Sequence, residues 1–411
     1  MKSKKITFIT ISAVLISLCL LSSSCCAPLN LIMGNVSQGS YNRDDPELIV
    51  EYEGTIKCNT ITADTRNFKM GFTPFPYDYT DEAVNFTYTN VNHHSDMVVH
   101  HFDNGIPWDE FLNNTDMQDN ILLDLNDRLS RTASGKDIYL AVTPLSTYRD
   151  QLAGYWGETE NMELPGDWKN KKFDHPDIYR AFLNYCNFMI DKFEPEYFAY
   201  GIEVNMLGNW DPEAFKDYVV FLENIYPALK SAHPDIPIFL TIQLETFNNH
   251  FDKQENIVES ILPYTDYIAI STYPFGNIDD PSEIPADWFS RLYEISPDKP
   301  VAITETSYPA EDLYIKKYER DIKGTEEDQL EYLELILGSM SALDFEFLTW
   351  FVIRDYDQLW ELMAEYGTDE IFKSWRDTGL IDEDGRPRPA LGYWDKWLSL
   401  TYDNISEPAK D

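Results

Sequence analysis

From about residue 67 onward, short runs of apolar, β-branched and aromatic residues alternate with longer stretches of helical periodicity. Eight short runs predict strands, at residues 68–73, 97–102, 138–143, 197–204, 238–243, 267–272, 301–305 and 345–351. Four of the longer stretches predict helical regions, at residues 108–129, 176–193, 211–232 and 326–343. The runs are almost continuously apolar, as is typical of parallel strands that helices cover on the outside.

Eight strands that alternate with helices predict a (β/α)8 TIM barrel. The alternative is an open, doubly wound parallel sheet, which favours a glycine-rich phosphate loop after an early strand. The sequence has no such loop, so we favour the barrel. We expect one barrel domain over residues 61–402, preceded by a linker and lead-in segment at 27–60 and followed by a tail at 403–411.

The first 26 residues predict a secretory signal peptide. Lys2, Lys4 and Lys5 precede an apolar run at 6–21, and small residues follow it. The stretch that ends in Cys25 and Cys26 resembles a bacterial lipoprotein box, although a serine stands where an aliphatic residue is usual. Two outcomes stay open, a lipid anchor on one of these cysteines or plain cleavage. We therefore expect a secreted or cell-surface protein that meets a membrane only through a lipid anchor.

The chain is strongly acidic, with 71 Asp and Glu against 32 Lys and Arg and a formal net charge of −39. Such a charge argues against binding of nucleic acid or of an anionic membrane surface, and it favours neutral or cationic ligands. The alternative interpretation is a surface that only keeps the protein soluble. Hydrophobic residues make up 43% of the chain, which is enough for a large core and excludes disorder as the main state.

The cysteines and histidines predict neither a metal site nor a cofactor, because no CxxC pair and no HExxH helix occurs. Beyond the signal region only Cys58 and Cys186 remain, and a secreted protein could join them in a disulfide. Cys186 lies on the apolar face of a predicted helix, so we favour a buried free thiol.

Two glutamates end predicted strands that are otherwise apolar. Glu203 ends the fourth strand and Glu305 ends the seventh, and active sites of this fold lie at these strand ends. A carboxylate at the end of a buried strand costs free energy unless it is paired or used. Two carboxylates that face each other across the barrel mouth can flank one glycosidic bond, one protonated and the other ionised.

The segments GIEVN, around Glu203, and AITETSYP, around Glu305, resemble clan A of the glycoside hydrolases, the retaining (β/α)8 enzymes. The second segment is most similar to the family 53 endo-β-1,4-galactanases. The resemblance implies that Glu203 is the acid/base and Glu305 the nucleophile. It also implies that Tyr273 hydrogen-bonds the nucleophile and that Trp350 forms an aromatic platform under the sugar. One departure is Ile202, which stands where the clan usually has an asparagine before the acid/base.

Further strand-end side chains are candidates for substrate binding. His100 and His101 alternate in direction, so one of them is expected to point into the barrel mouth. Alternation also places Asn205 on the side of Glu203, and Gln243 shares a face with Glu245 if the fifth strand continues. Tyr77, on the first strand-end loop, is a candidate for stacking on a sugar.

The resulting hypothesis is a secreted retaining glycoside hydrolase that cleaves a β-linked polysaccharide or oligosaccharide by double displacement, without a cofactor. Two alternatives stay open. One is a non-catalytic carbohydrate-binding lipoprotein on a hydrolase-like barrel. The other is a different enzyme class on the same barrel, such as a transglycosylase.

Overall fold

The computed structural model describes residues 45–403 and contains a closed barrel of eight parallel strands. The barrel strands are β1 (Lys69–Phe72), β2 (Met97–Phe102), β3 (Asp137–Val142), β4 (Tyr197–Ala199), β5 (Ile238–Gln243), β6 (Ile268–Thr272), β7 (Val301–Thr306) and β8 (Phe347–Trp350). They follow one another around the barrel in chain order, and β8 pairs with β1 to close it. Each of the eight predicted runs forms one barrel strand, so the (β/α)8 prediction is confirmed.

Helices surround the barrel. They are α1 (Asp81–His93), α2 (Trp108–Asn113), α3 (Asp119–Arg131), α4 (Pro176–Phe193), α5 (Asn205–Trp210), α6 (Pro212–Ala232), α7 (Leu244–Asn249), α8 (Phe251–Ile261), α9 (Ser290–Ile295), α10 (Glu326–Leu343), α11 (Asp357–Glu365) and α12 (Pro389–Leu398). The predicted helical region at 108–129 consists of two helices, since Asn114 adopts a left-handed conformation that ends α2. At the start of α6, Asp211 accepts hydrogen bonds from the N–H groups of Glu213 and Ala214. These bonds satisfy free donors of the first turn, as an N-cap aspartate does.

Large aromatic rings fill the lower part of the barrel interior. Tyr197, the first residue of β4, lies with its ring 4.7 Å from that of Phe347, the first residue of β8. Phe239 on β5 stacks on Tyr139 at 5.7 Å and on Tyr267 at 5.5 Å. These rings occupy the end at which the strands begin. The space for polar side chains is at the opposite, C-terminal end. That end is where the loops after each strand come together.

A short parallel pair of strands, Thr65–Arg66 with Thr401–Tyr402, joins the two ends of the described chain. In this junction the guanidinium of Arg66 donates two hydrogen bonds of 2.7 Å to Asp96. The domain boundaries at 61 and 402 stay a prediction. The predicted signal peptide at 1–26 lies outside the described residues, as do the first part of the predicted lead-in segment and residues 404–411 of the predicted tail.

Cys58 and Cys186 are both free thiols, and Cys186 lies on the buried face of α4, as the sequence favoured. Within residues 45–403, none of the helices has the length and apolar character that crossing a membrane requires.

Candidate active site

Glu203 and Glu305 lie at the C-terminal end of the barrel, the first after β4 and the second on β7, which are three positions apart around its wall. Glu305 belongs to β7 and is 4% exposed. Glu203 is fully buried and lies four residues beyond the end of β4, not on the strand as predicted. Its backbone has a φ of 50°, in the left-handed region that non-glycine residues seldom occupy. The N–H of Glu203 donates to Oγ1 of Thr241 on β5 at 2.8 Å, which fixes this turn against the barrel.

Two groups contact the carboxylate of Glu203. The hydroxyl of Ser271, on β6, donates a hydrogen bond to Oε1. The guanidinium of Arg149 lies beside Oε2, with its Nε 3.6 Å away. Asp103 holds Arg149 in place, with a contact of 2.7 Å between Nη1 and Oδ2. The sequence analysis missed Arg149, because an arginine in the loop after β3 carries no local signal of its burial.

The carboxylate of Glu305 contacts two predicted residues. Nδ1 of His101, on β2, lies 2.8 Å from Oε1 of Glu305. The hydroxyl of Tyr273, which follows β6, donates to Oε2 at 3.3 Å. His101 is therefore the member of the histidine pair that points into the barrel mouth, and Tyr273 occupies the place that the family resemblance implies.

Burial raises the pKa of both Glu203 and Glu305, and the nearby cation of Arg149 opposes this rise. The negative charge of Glu305 raises the pKa of Glu203 further. Burial lowers the pKa of His101 to about 3, so its imidazole is neutral at ordinary pH. Ionisation of Glu305 therefore favours the protonated form of Glu203.

Four buried polar atoms in this cluster make no hydrogen bond within residues 45–403. They are Nε2 of His101, Oε1 of Glu305, Oε2 of Glu203 and Nε of Arg149. The last two face each other as an ion pair at 3.6 Å, which is beyond hydrogen-bond distance. Buried polar atoms are nearly always hydrogen-bonded, so unpaired ones that gather in one place mark a site at which a ligand can bond. Hydroxyl groups can both donate and accept, and they match such a mixed set.

Asn205 lies outside this cluster, contrary to expectation, and so does His100, the second member of the histidine pair. His100 points outward from β2, with its Nε2 2.9 Å from Oγ1 of Thr132 and its ring packed on Phe193. Asn205 begins α5, and its amide donates to Oε1 of Gln254 at 2.8 Å. The expectation for Asn205 was wrong because β4 ends at Ala199, so strand alternation does not reach it.

Trp350 is also wrongly placed by the sequence analysis. It is fully buried on the outer side of β8, where its ring packs on Tyr332 and its Nε1 donates to the Thr378 carbonyl at 2.9 Å. The residues of β8 that face the interior are Phe347 and Thr349. Trp350 therefore forms no platform at the barrel mouth in this structure.

Tyr77 and the end of β5 have structural contacts. The ring of Tyr77 lies under the guanidinium of Arg354, at 3.7 Å. The side-chain oxygen of Gln243 accepts a hydrogen bond from Thr246. Glu245 lies in α7 and not on an extended strand, and it accepts a 2.7 Å bond from the N–H of Tyr273. Glu245 thus fixes the backbone of the tyrosine that contacts Glu305.

Acidic side chains also cluster under the loop after β8. Asp355 and Asp377 are both buried there, close to Asp357. Arginines occupy the same space, because Arg388 lies 2.8 Å from Asp355 and Arg376 lies 2.6 Å from Asp377. The ion pairs account for the burial of these carboxylates and connect the loop to α12.

Neither the models of known protein families nor the sequences of curated proteins match this chain. Solved structures do match its fold. GH5_18 from Bifidobacterium longum subsp. longum superposes with a TM-score of 0.57 at 14% identity, over 82% of this chain and 81% of that one. A variant of GH5_18 from Streptomyces cattleya, solved in complex with Manβ1-4GlcNAc, gives 0.56 at 15% identity, over 83% and 82%.

The GH53 catalytic domain of Ignisphaera aggregans superposes with a TM-score of 0.52 at 16% identity, over 85% of this chain and all of that one. Identities this low show the fold alone. The chain therefore has the (β/α)8 fold of the GH5 and GH53 glycoside hydrolases.

Proposed function

We propose that this protein is a retaining glycoside hydrolase that cleaves a β-linked polysaccharide or oligosaccharide. One observation carries the proposal. Glu203 and Glu305, from two different sides of the barrel mouth, lie buried in a single cluster with Arg149, His101 and Tyr273. The fold of the GH5 and GH53 structures supports it. The Manβ1-4GlcNAc bound to one of those structures points to a β-linked substrate for this chain as well.

The reaction proceeds in two displacements. Glu305 attacks the anomeric carbon, while Glu203 gives its proton to the departing glycosidic oxygen, so one C–O bond forms as another breaks. Glu203, now ionised, takes a proton from water, and the resulting hydroxide attacks the anomeric carbon. The C–O bond to Glu305 breaks, and the product keeps the original anomeric configuration.

The environments of the two carboxyl groups support these roles. The Tyr273 hydroxyl donates to Glu305, which stabilises the ionised form that a nucleophile needs. Glu203 is fully buried, and the charge of Glu305 favours its protonated form. Arg149 opposes protonation only in part, since its closest carboxylate is Asp103 at 2.7 Å. The unpartnered Nε2 of His101 is an acceptor for a sugar hydroxyl.

The test is reducing-sugar release by the full chain on galactans, mannans, glucans and xylans, beside Glu305→Gln and Glu203→Gln. We expect release from one polymer, its loss in Glu305→Gln, and a rate lower by about 10²–10⁴-fold in Glu203→Gln. Proton NMR of the first product should show the substrate's own anomeric configuration. An inverted product would overturn the retaining mechanism, and equal release by Glu305→Gln would overturn the site.

A second candidate function is carbohydrate binding without turnover. It is favoured by Ile202, which stands where clan A enzymes usually have an asparagine, and by the complete burial of Glu203. Binding to one polymer without any release of reducing sugar would establish this function in place of hydrolysis.

We further propose that a signal peptide at 1–26 exports the chain and that Cys25 or Cys26 carries a lipid anchor. Metabolic labelling with a radioactive fatty acid tests the anchor, and Cys25→Ala and Cys26→Ala identify the cysteine. Absence of label from the parent protein would leave plain cleavage as the explanation.

A further inference from the structure

A cleft of about 430 Å³ opens on the same end of the barrel as the candidate carboxylates. It lies between the loops that follow β3, β7 and β8. Its walls are Tyr148, Lys317, Gly367, Thr368, Asp369 and Glu370. None of these residues belongs to the cluster around Glu203 and Glu305, so the cleft is a separate feature of the barrel mouth.

One wall of the cleft is the ring of Tyr148, which is 41% exposed. The next residue, Arg149, is 1% exposed and points to Glu203. Both lie at the tip of a tight hairpin, which is closed by bonds of 2.8 Å from Ser146 N–H to the Gln151 carbonyl and 2.9 Å from Arg149 N–H to the Ser146 carbonyl. The tip thus faces the candidate catalytic pair with one side chain and the open cleft with its neighbour.

The opposite wall carries hydrogen-bonding groups in fixed positions. The ammonium of Lys317 is paired with Asp369, and the hydroxyl of Tyr318 donates to Oδ1 of Asp369 at 2.9 Å. Asp369 also accepts from the N–H of Ile371 at 3.0 Å. Glu370 accepts from the backbone N–H of Lys317. The charges of Lys317 and Asp369 compensate each other, while their ammonium and carboxylate groups have more donor and acceptor sites than one ion pair uses. The cleft therefore suits a neutral ligand with many hydroxyls and not a free ion.

We propose that this cleft is an additional sugar-binding subsite, which takes one pyranose ring of a neutral carbohydrate chain. The ring packs its C–H face on Tyr148, and its hydroxyls bond Lys317 and Asp369 on the other wall. An aromatic ring on one wall matches the apolar C–H face of a sugar, and donors and acceptors on the other wall match its hydroxyls. The proposal rests on the proposed function, and it adds that the protein binds a long carbohydrate at sugar units beyond the bond that is cleaved.

The subsite predicts a dependence of affinity on chain length. Calorimetry with β-1,4-linked hexasaccharides of galactose, mannose, glucose and xylose, each beside the disaccharide of the same linkage, measures it. Every protein in this experiment carries Glu305→Gln, and the parent here is that variant, so the oligosaccharides are bound without being cleaved. The parent should bind one hexasaccharide more tightly than its disaccharide. Tyr148→Ala should weaken the hexasaccharide by about tenfold and leave the disaccharide unchanged. Tyr148→Phe, which keeps the ring, should retain most of the affinity.

Tyr314→Ala is the matched control, because Tyr314 is a tyrosine of similar exposure, 49%, that does not line the cleft. It should bind the hexasaccharide as the parent does. The subsite is overturned if Tyr148→Ala binds the hexasaccharide as tightly as the parent, if both lengths weaken equally, or if the parent binds none of the hexasaccharides. Chain-length-dependent binding that Tyr148→Ala weakens, together with no reducing-sugar release by the unsubstituted chain, would support the subsite and overturn only the proposed hydrolase function.

Discussion

Nε of Arg149 lies 3.6 Å from Oε2 of Glu203, in a site from which solvent is excluded on both sides of the contact. The arginine reaches this place from the tip of the hairpin after β3, where its backbone has a φ of 58°. Asp103 holds the other end of its guanidinium. Arg149 therefore links the conformation of the loop after β3 to the protonation of Glu203.

Replacement of Arg149 by methionine should shift the pH dependence of hydrolysis. The cation lowers the pKa of both Glu203 and Glu305, so its loss raises both pKa values. Glu305 acts in its ionised form, and the acidic limb of the kcat/KM profile should therefore move to higher pH. We also expect kcat to fall by about 10²-fold as Glu203 loses its lateral support. Arg149→Lys, which keeps a charge, should move the limb less, and an unmoved limb in Arg149→Met would contradict the electrostatic role.

His101 should stay neutral over the pH range in which the enzyme works. Burial lowers its pKa to about 3, so its contact with Glu305 is made by an uncharged imidazole. The ¹⁵N shifts of its ring should stay those of neutral imidazole between about pH 5 and pH 8, and His101→Asn identifies the signals by their loss. His101→Ala should lower kcat by about 10²-fold, because Glu305 loses a positioning contact. A protonation step in this range would show that the site is open to water.

The strands were predictable because each consists of a continuous apolar run, and the same periodicity identified α4 and α10. The ends of the strands were harder. The run at 197–204 continues past Ala199 because Ile202 and Val204 are buried outside the strand, so composition gives no sign that the chain turns. Trp350 was misplaced because an apolar strand packed on both faces does not reveal which residues face inward. Arg149 could not be found at all, since its role depends on contacts with Asp103 and Glu203, both distant in sequence.

Glu245 should make the protein less stable as the pH rises. Burial raises its pKa to about 7, so the folded state keeps a proton that the unfolded chain has already released. The contribution of protonated Glu245 to the free energy of unfolding is fully present below the ordinary glutamate pKa of about 4.3. It is lost as the pH rises towards about 7. Glu245→Gln should therefore have a free energy of unfolding up to about 3 kcal/mol above that of the parent at about pH 8, with a higher melting temperature, and show little gain at about pH 4.

The control for this experiment is Glu331→Gln, which removes the same charge from an exposed position on α10. Its melting temperature relative to the parent should not depend on pH in this way. An identical pH dependence for both variants would assign the effect to overall charge and not to the burial of Glu245.

The ion pair between Arg388 and Asp355 should stabilise the folded protein. Loss of either partner alone should lower the free energy of unfolding. Both residues are at most 1% exposed, and the guanidinium lies 2.8 Å from Oδ2 of Asp355. Oδ1 of Asp355 also accepts from the N–H of Gly379 at 2.7 Å, and Arg388 donates to the carbonyl of that glycine at 2.8 Å. Arg388→Met leaves a buried carboxylate without its cation, and we expect it to lower the free energy of unfolding by about 3–5 kcal/mol.

The double variant Arg388→Met/Asp355→Asn separates the ion pair from simple packing. It removes both charges while an amide oxygen still faces Gly379, so it should recover part of the stability that Arg388→Met loses. Urea unfolding of the parent, both single variants and the double variant gives the coupling energy. Additive losses would show that the two side chains act independently and that their burial has another cause. Recovery in the double variant would show that Arg388→Met is destabilising because it leaves the buried charge of Asp355 unpaired. In the parent, Arg388 lies beside Asp355 just as Arg149 lies beside Glu203, so neither buried carboxylate is without a cation.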